Sequence, residues 1–321
     1  MRGRARRPAA AGVVLAAAIS AGALTRADAD AVDAPSAFTV GILRRDAMIV
    51  PFANYDGKTW HADWPQPRKD DDVPVDLRSV PKGWWGRAGV RQTWQSWGVG
   101  QDPPSLLHVL QPDWFTSYCV RGIGLRTDYH ARLPLPPPNV RPYPTDGLAV
   151  SPPQPLERVE IVPPGDSRRL RLTPMILESF NRTEREIGVE VHHPIPQAVR
   201  EQIAPVIEAM YASPDGRVLY IEAAREYHDR MDPSACRAVA FGGGWFVRGD
   251  HDLYAPLQTY VQVLDCDRDG ASYMLPLGIM RLSGRTFWLA QFSGWDGAQY
   301  EVDAIEPKTV ERVISRSGGG C

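Results

Sequence analysis

Apolar residues in this chain alternate with polar or small ones over short runs far more often than they recur at helical spacing. The clearest such stretch lies near the end. From Ser272 to Tyr300 the pattern predicts two strands around a turn at Ser283-Gly284, followed by a second turn at Asp296-Gly297. Residues 38–60 echo it. Gly41-Ile42-Leu43-Arg44 matches Gly278-Ile279-Met280-Arg281, and Phe52, Tyr55, Asp56, Gly57 and Trp60 match Phe292, Trp295, Asp296, Gly297 and Tyr300 at the same spacing. Two β-units of one shape would produce such an echo.

Phe38 to Phe52 reads as a hairpin turning at Arg45-Asp46, and Tyr55-Asp56-Gly57-Lys58 as a turn. From Trp60 to Trp114 the periodicity is lost. Seven prolines and seven tryptophans stand there, so packed rings rather than long strands or helices are expected to order it. Ser117–Arg126 is a strand candidate, and the proline-rich run 133–144 reads as a stiff polyproline connector. Arg158–Val162 and Arg169–Leu172 are expected as short strands. Two helices should follow. One is capped by Thr173 with Pro174 at its first position, and one carries Val199, Ile203, Val206, Ile207, Met210 and Tyr211 on one face, with Pro205 kinking it or marking its start. Beyond Ser213-Pro-Asp-Gly216, six strand patterns fill 218–305, with Gly242-Gly243-Gly244 inside one of them. The fold class is therefore mainly β (α+β), with antiparallel sheets and a helical pair near residues 173–211. The proline-rich run suggests division into 30–144 and 145–321, unless both integrate into one domain.

The start of the chain changes the picture of where this fold operates. Arg2, Arg4, Arg6 and Arg7 precede an apolar run from Val13 to Leu24 and a small-x-small site at Ala27-Asp28-Ala29. This is the layout of a secretory signal spanning 1–29, and the apolar run is shorter than the ~20 residues a bilayer span needs. The chain is thus expected to be secreted or periplasmic, with no transmembrane anchor after cleavage. Losing five arginines and one aspartate from 36 basic and 38 acidic residues leaves a net charge of −6. That balance argues against nucleic acid as a partner, since a phosphate backbone calls for a basic face. Four cysteines in an exported chain predict two disulfides. Cys236 with Cys266 is favoured because both sit at strand edges of one sheet, which leaves Cys119 with Cys321.

Reactive chemistry is sparse. Asp265-Cys-Asp267-Arg-Asp269-Gly270 has the D-x-D-x-D-G spacing of a calcium loop, making Ca2+ the one cofactor the sequence suggests. Its twelfth position is Pro276 instead of a bidentate glutamate, and an acidic turn beside a disulfide explains the string more simply. His192-His193 reads as a solvated loop, and Glu226, His228, Asp229 and Asp232 as a charged exposed one. There is no G-x-S-x-G elbow, and Ser79-Val-Pro-Lys82 lacks the companion motifs of S-x-x-K enzymes. Tryptophan density is the remaining signal. Trp60, Trp64, Trp84, Trp85 and Trp295 are the candidate contacts for a glycan, peptide or protein ligand, although a segment poor in aliphatics also needs its rings for burial. The leading expectation is a non-enzymatic binding or structural module using aromatic loops. The alternative is a secreted hydrolase of polysaccharide or cell-wall material, with Asp56, Asp63, Glu222, Glu226 and Asp296 as the acids to inspect for a facing pair.

Overall fold

The computed structural model describes residues 37–68, 76–89, 92–98, 103–131, 145–229, 231–232, 234–249 and 253–321. The expected signal at 1–29 and the polyproline connector at 133–144 lie outside them. The described chain is mainly β, with antiparallel sheets stacked in layers.

The first layer contains β1 (Phe38–Arg44), β2 (Met48–Tyr55), β3 (Trp60–His61), β4 (Thr93–Gly98), β5 (Ser105–Ser117), β6 (Val120–Thr127) and β7 (Thr145–Ser151). Their order is β1-β7-β4-β5-β6-β2-β3, and β1 also pairs with β2. Six strands therefore close on themselves into an antiparallel barrel, and β7 joins the sheet from the far side of the proline-rich run. Closure removes the free edges that would invite aggregation. The β2–β6 seam holds only the pairs Met48↔Arg126 and Ile49↔Leu125. The segment 60–68 fills the gap beyond it. There β3 pairs with β2, Arg68 bridges Arg121 on β6, and the Trp64 indole donates to the Ile123 carbonyl at 2.9 Å.

Leu43, Ile49, Trp94, Leu107, Val109, Ile123, Leu125 and Ala149 line the barrel interior, which Val80, Trp84 and Trp64 plug. The tryptophan- and proline-rich segment is thus ordered by its rings, as expected, but it also contains two true strands, β4 and β5. Proline interrupts the ladder less than its count suggests. Pro112 follows the register shift between Val109 and Gln111, where the ladder is already broken.

The middle layer is a four-stranded meander, β13 (Tyr273–Leu282), β14 (Arg285–Ser293), β15 (Gly297–Glu306) and β16 (Thr309–Gly320). Ser283 and Gly284 turn it with φ of 50° and 76°, the paired positive values of a tight hairpin. One face packs on the barrel exterior, with Met280, Phe287, Leu289, Tyr300 and Val302 against Val40, Ile42, Val50 and Phe52. The segments whose sequences echo each other, 38–60 and 277–300, are both meanders here, and the Phe52 and Tyr300 rings meet at 5.5 Å. Their second turns differ, since Gly57 takes a φ of 100° and Gly297 has no positive φ.

The other face of the middle sheet carries Trp288, Ala290 and Ile305. It packs against Tyr220 and Trp245 of an outer sheet, β12-β11-β10-β9-β8. Its strands are β8 (Glu160–Ile161), β9 (Val206–Ala212), β10 (Val218–His228), β11 (Cys236–Arg248) and β12 (Tyr254–Leu264). Helix α1 (Ser167–Glu190) covers the outside of this sheet, laying Ile176 and Phe180 over Ile207, Ile221, Ala223 and Ala240.

Three local expectations are corrected here. Arg169–Leu172 is helical, not strand, because Asp166 caps α1 by accepting from the Arg168 amide at 2.8 Å. Thr173 and Pro174 consequently lie inside the helix, where the Thr173 hydroxyl donates to the Arg169 carbonyl at 2.8 Å. The second helix, α2 (Gln197–Arg200), is a single turn, and Val206–Ala212 is strand β9. A bulge at Glu208 explains the misleading pattern. Ala209 pairs with Glu222 but Ile207 with Ala223, so Ile207 and Met210 reach the same face at helix-like spacing.

Candidate binding site at a disulfide-braced tip

Both expected disulfides are present. Cys119–Cys321 spans 4.8 Å between Cα atoms and Cys236–Cys266 spans 5.9 Å. Among the described residues no cysteine is free. Together the bridges point to an oxidising, extracytoplasmic compartment.

The two bridges end in turns that touch. Cys119 sits in the β5–β6 turn beside Tyr118, whose φ is 54°. Its partner Cys321 donates its amide to the Asp296 carbonyl at 2.8 Å, in the turn from Gly294 to Gly297 that joins β14 and β15. That turn is closed by Gly294 N–H to the Gly297 carbonyl at 2.9 Å, and the Tyr118 hydroxyl donates to the Gly294 carbonyl at 3.3 Å. Gly319 completes the clasp, because its φ of 129° and the Ser117 side chain, 2.7 Å from any added Cβ, exclude a larger residue. On the other side, Cys266 anchors the Asp265–Gly270 turn to β11. The Ala271 carbonyl beyond that turn lies 3.0 Å from where a Cβ on Gly294 would stand. Trp295 projects from the middle of this assembly and is 73% exposed. Burial raises the Tyr118 phenol above its ordinary range, and the Asp296 carboxylate acts in the same direction.

The other aromatic candidates lie elsewhere. Trp64 and Trp84 are buried, their ring centroids 5.4 Å apart, and Trp85 lies half-buried at 5.4 Å from Trp64. The Trp84 indole donates to the Asp63 carboxylate. Trp60 packs among Phe38, Tyr55 and Phe287 in the main core. These four build the barrel's packing, whereas Trp295 presents its surface to solvent.

Asp265, Asp267 and Asp269 form an exposed turn in which Asp267 accepts the Asp269 amide at 3.1 Å. Between them Arg268, with φ of 61°, sends its guanidinium to Glu208 at 2.7 Å and Glu226 at 2.8 Å. Among the described residues, no group of three His, Cys, Asp or Glu side chains is placed to hold a metal ion.

Of the five acids considered for hydrolysis, Glu222 and Glu226 share β10, four residues and about 13 Å apart along the strand, while Asp56, Asp63 and Asp296 sit in three different connections between strands. Asp56 caps its own turn, where the Thr59 and Lys58 amides and His61 hold its carboxyl well below the usual range. Asp63 binds Trp84, Glu226 pairs with Arg268, and Asp296 belongs to the tip. Glu222 is buried between the outer and middle sheets and accepts the Met274 amide at 2.6 Å.

Two clusters escaped sequence reasoning. Glu184 on α1 is buried with Arg225, Tyr227 and His193, so His193 is no solvated loop residue; its side chain is 2% exposed. The second is Glu301 and Asp303 on β15, facing the outer sheet with Arg312 as their shared ion-pair partner. In sequence, Tyr300-Glu301-Val302-Asp303-Ala304 looks like a strand with a wet side, and nothing local reveals the sheet that covers it.

No family model, curated protein or solved structure matches this chain. Among the described residues no helix is long and apolar enough to cross a membrane.

Proposed function

We propose that this is an exported, non-enzymatic binding module, delivered by the leader at 1–29, that contacts a glycan or peptide ligand through Trp295. The observation that carries this reading is a tryptophan 73% exposed on a turn clasped by a disulfide, a tail amide and a tyrosine hydroxyl. An exposed indole is costly to leave in water and productive at a contact, because it offers a large amphipathic surface with few torsions to freeze. Bracing the turn reduces the ordering cost of binding further. The hydrolase alternative has less behind it, since the carboxyls that burial pushes upward, Glu301 and Asp303, are sealed between two sheets.

The test is adsorption of the oxidised full-length protein to insoluble polysaccharides, cell-wall material and immobilised peptide libraries. Trp295→Ala should lower retention on the bound material about tenfold or more, as loss of a central aromatic contact does. Trp85→Ala should leave it unchanged. Equal retention of Trp295→Ala and wild type would sink the proposal.

A further inference from the structure

Glu301 and Asp303 lie two residues apart on one face of β15, so their carboxylates point the same way about 7 Å along the strand. Both residues are 2% exposed. The outer sheet covers them with Tyr220, Tyr260 and Glu222, and the Tyr220 and Tyr260 hydroxyls hydrogen bond to each other at 3.2 Å. The neighbouring strands of their own sheet contribute Trp288 and Ala290 from β14, and Arg312 from β16. Arg312 lies 2.8 Å from Glu301 and 3.7 Å from Asp303, and its side chain is 53% exposed. Two buried carboxylates thus share one guanidinium at the rim, with Glu222 also within electrostatic range of the same tyrosines. Two full negative charges there would be poorly balanced, and a retained proton removes the imbalance at least cost.

From this geometry we propose that the Glu301–Asp303 pair is a proton-operated latch on the seam between the middle and outer sheets, closed while the pair holds a proton and loosened when both carboxyls ionise. The seam is where it would act, because the edge strand β12 of one sheet runs beside the edge strand β16 of the other. Burial pushes Glu301 up to about 8, with repulsion from Asp303 adding to it, and burial pushes Asp303 up to about 6. Both values lie above those of the unfolded chain. The associated stability is therefore fully present below about pH 4 and is lost progressively as pH rises from there, through about 6 for Asp303 and about 8 for Glu301.

The experiment compares full-length wild type with Glu301→Gln, a variant that imitates the protonated acid. The wild-type Tm should fall by about 5–10 °C between pH 5 and pH 9. In Glu301→Gln that fall should be largely abolished. Amide exchange measured at one pH cancels the intrinsic rate. At pH 8.5 the β12 and β16 amides should exchange on the order of tenfold faster in wild type than in the variant, and equally at pH 5. If Glu301→Gln does not fold, Arg312→Gln replaces it and should steepen the alkaline loss of Tm. Parallel Tm profiles for wild type and variant, or equal exchange at pH 8.5, would overturn the latch.

Discussion

Replacing Cys119 and Cys321 together by serine removes the covalent tie between the barrel's β5–β6 turn and the end of the chain. The two cysteines are 202 residues apart, against 30 for Cys236 and Cys266. In the chain-entropy relation a loop of that length restricts the unfolded state by about 5 kcal/mol, and the shorter loop by about 4 kcal/mol. The folded tip keeps its non-covalent clasp, because the Cys321 amide, the Tyr118 hydroxyl and the packing of Gly319 on Ser117 involve no sulfur bond. Most of the loss should therefore appear as stability and not as a changed fold. With a slope of about 2–3 kcal/mol per molar urea, it corresponds to a midpoint lower by roughly 2 M. The assay is equilibrium urea unfolding of the full-length protein and of the two paired serine variants, followed by circular dichroism. The Cys119→Ser/Cys321→Ser form should lose more than the Cys236→Ser/Cys266→Ser form. An unchanged midpoint, or the opposite order, would refute the reasoning that the tail is what fastens the layers.

Three further outcomes follow from the interior. Gly243→Ala would place a Cβ 2.6 Å from the Tyr220 hydroxyl and 3.0 Å from the Tyr260 ring, so it should destabilise by about 1–3 kcal/mol, read as a lower urea midpoint. Glu184→Ala would leave the Arg225 guanidinium, 3% exposed, without its carboxylate, and should cost about 3–5 kcal/mol by the same measurement. The pH profile should also carry an acid limb from His193. Burial, aided by Arg200, lowers its pKa, so its neutral form is favoured in the fold and stability is lost as pH falls below the unfolded value of about 6.5. His193→Gln should flatten that limb in thermal melts between pH 7 and pH 5, and an undiminished acid limb in the variant would contradict it.

What the sequence made legible was whatever local pattern and covalent chemistry determine. The strands from Val218 to Glu306 read correctly because each alternates or turns at glycine, and the disulfides because strand edges place Cys236 and Cys266 together. The failures share a physical origin. Strand β9 imitates a helix because the bulge at Glu208 resets its two-residue period, and α1 starts six residues before its apparent cap because tertiary packing outweighs the penalty at Pro174. Strand β16 passed unread since Arg312, Arg316 and the closing glycines show little alternation; it is fixed by its neighbour and by Cys321. At the candidate site, sequence favours one of the adjacent Trp84 and Trp85 over Trp295, because successive side chains of an extended chain cannot both point inward, yet Trp84 is buried and Trp85 half-buried. Only the third dimension separates the four that fill and frame the barrel from the one that faces water, since burial depends on which strands close around a ring.

The most direct measurement is hydroxyl-radical footprinting of the oxidised full-length protein with and without the material it adsorbs to. Protection should appear at Trp295 and at its neighbours Tyr118 and Asp296, with Trp64, Trp84 and Trp288 unreactive in both states. Unchanged oxidation of Trp295 in the bound state, with protection arising on another face, would contradict the account.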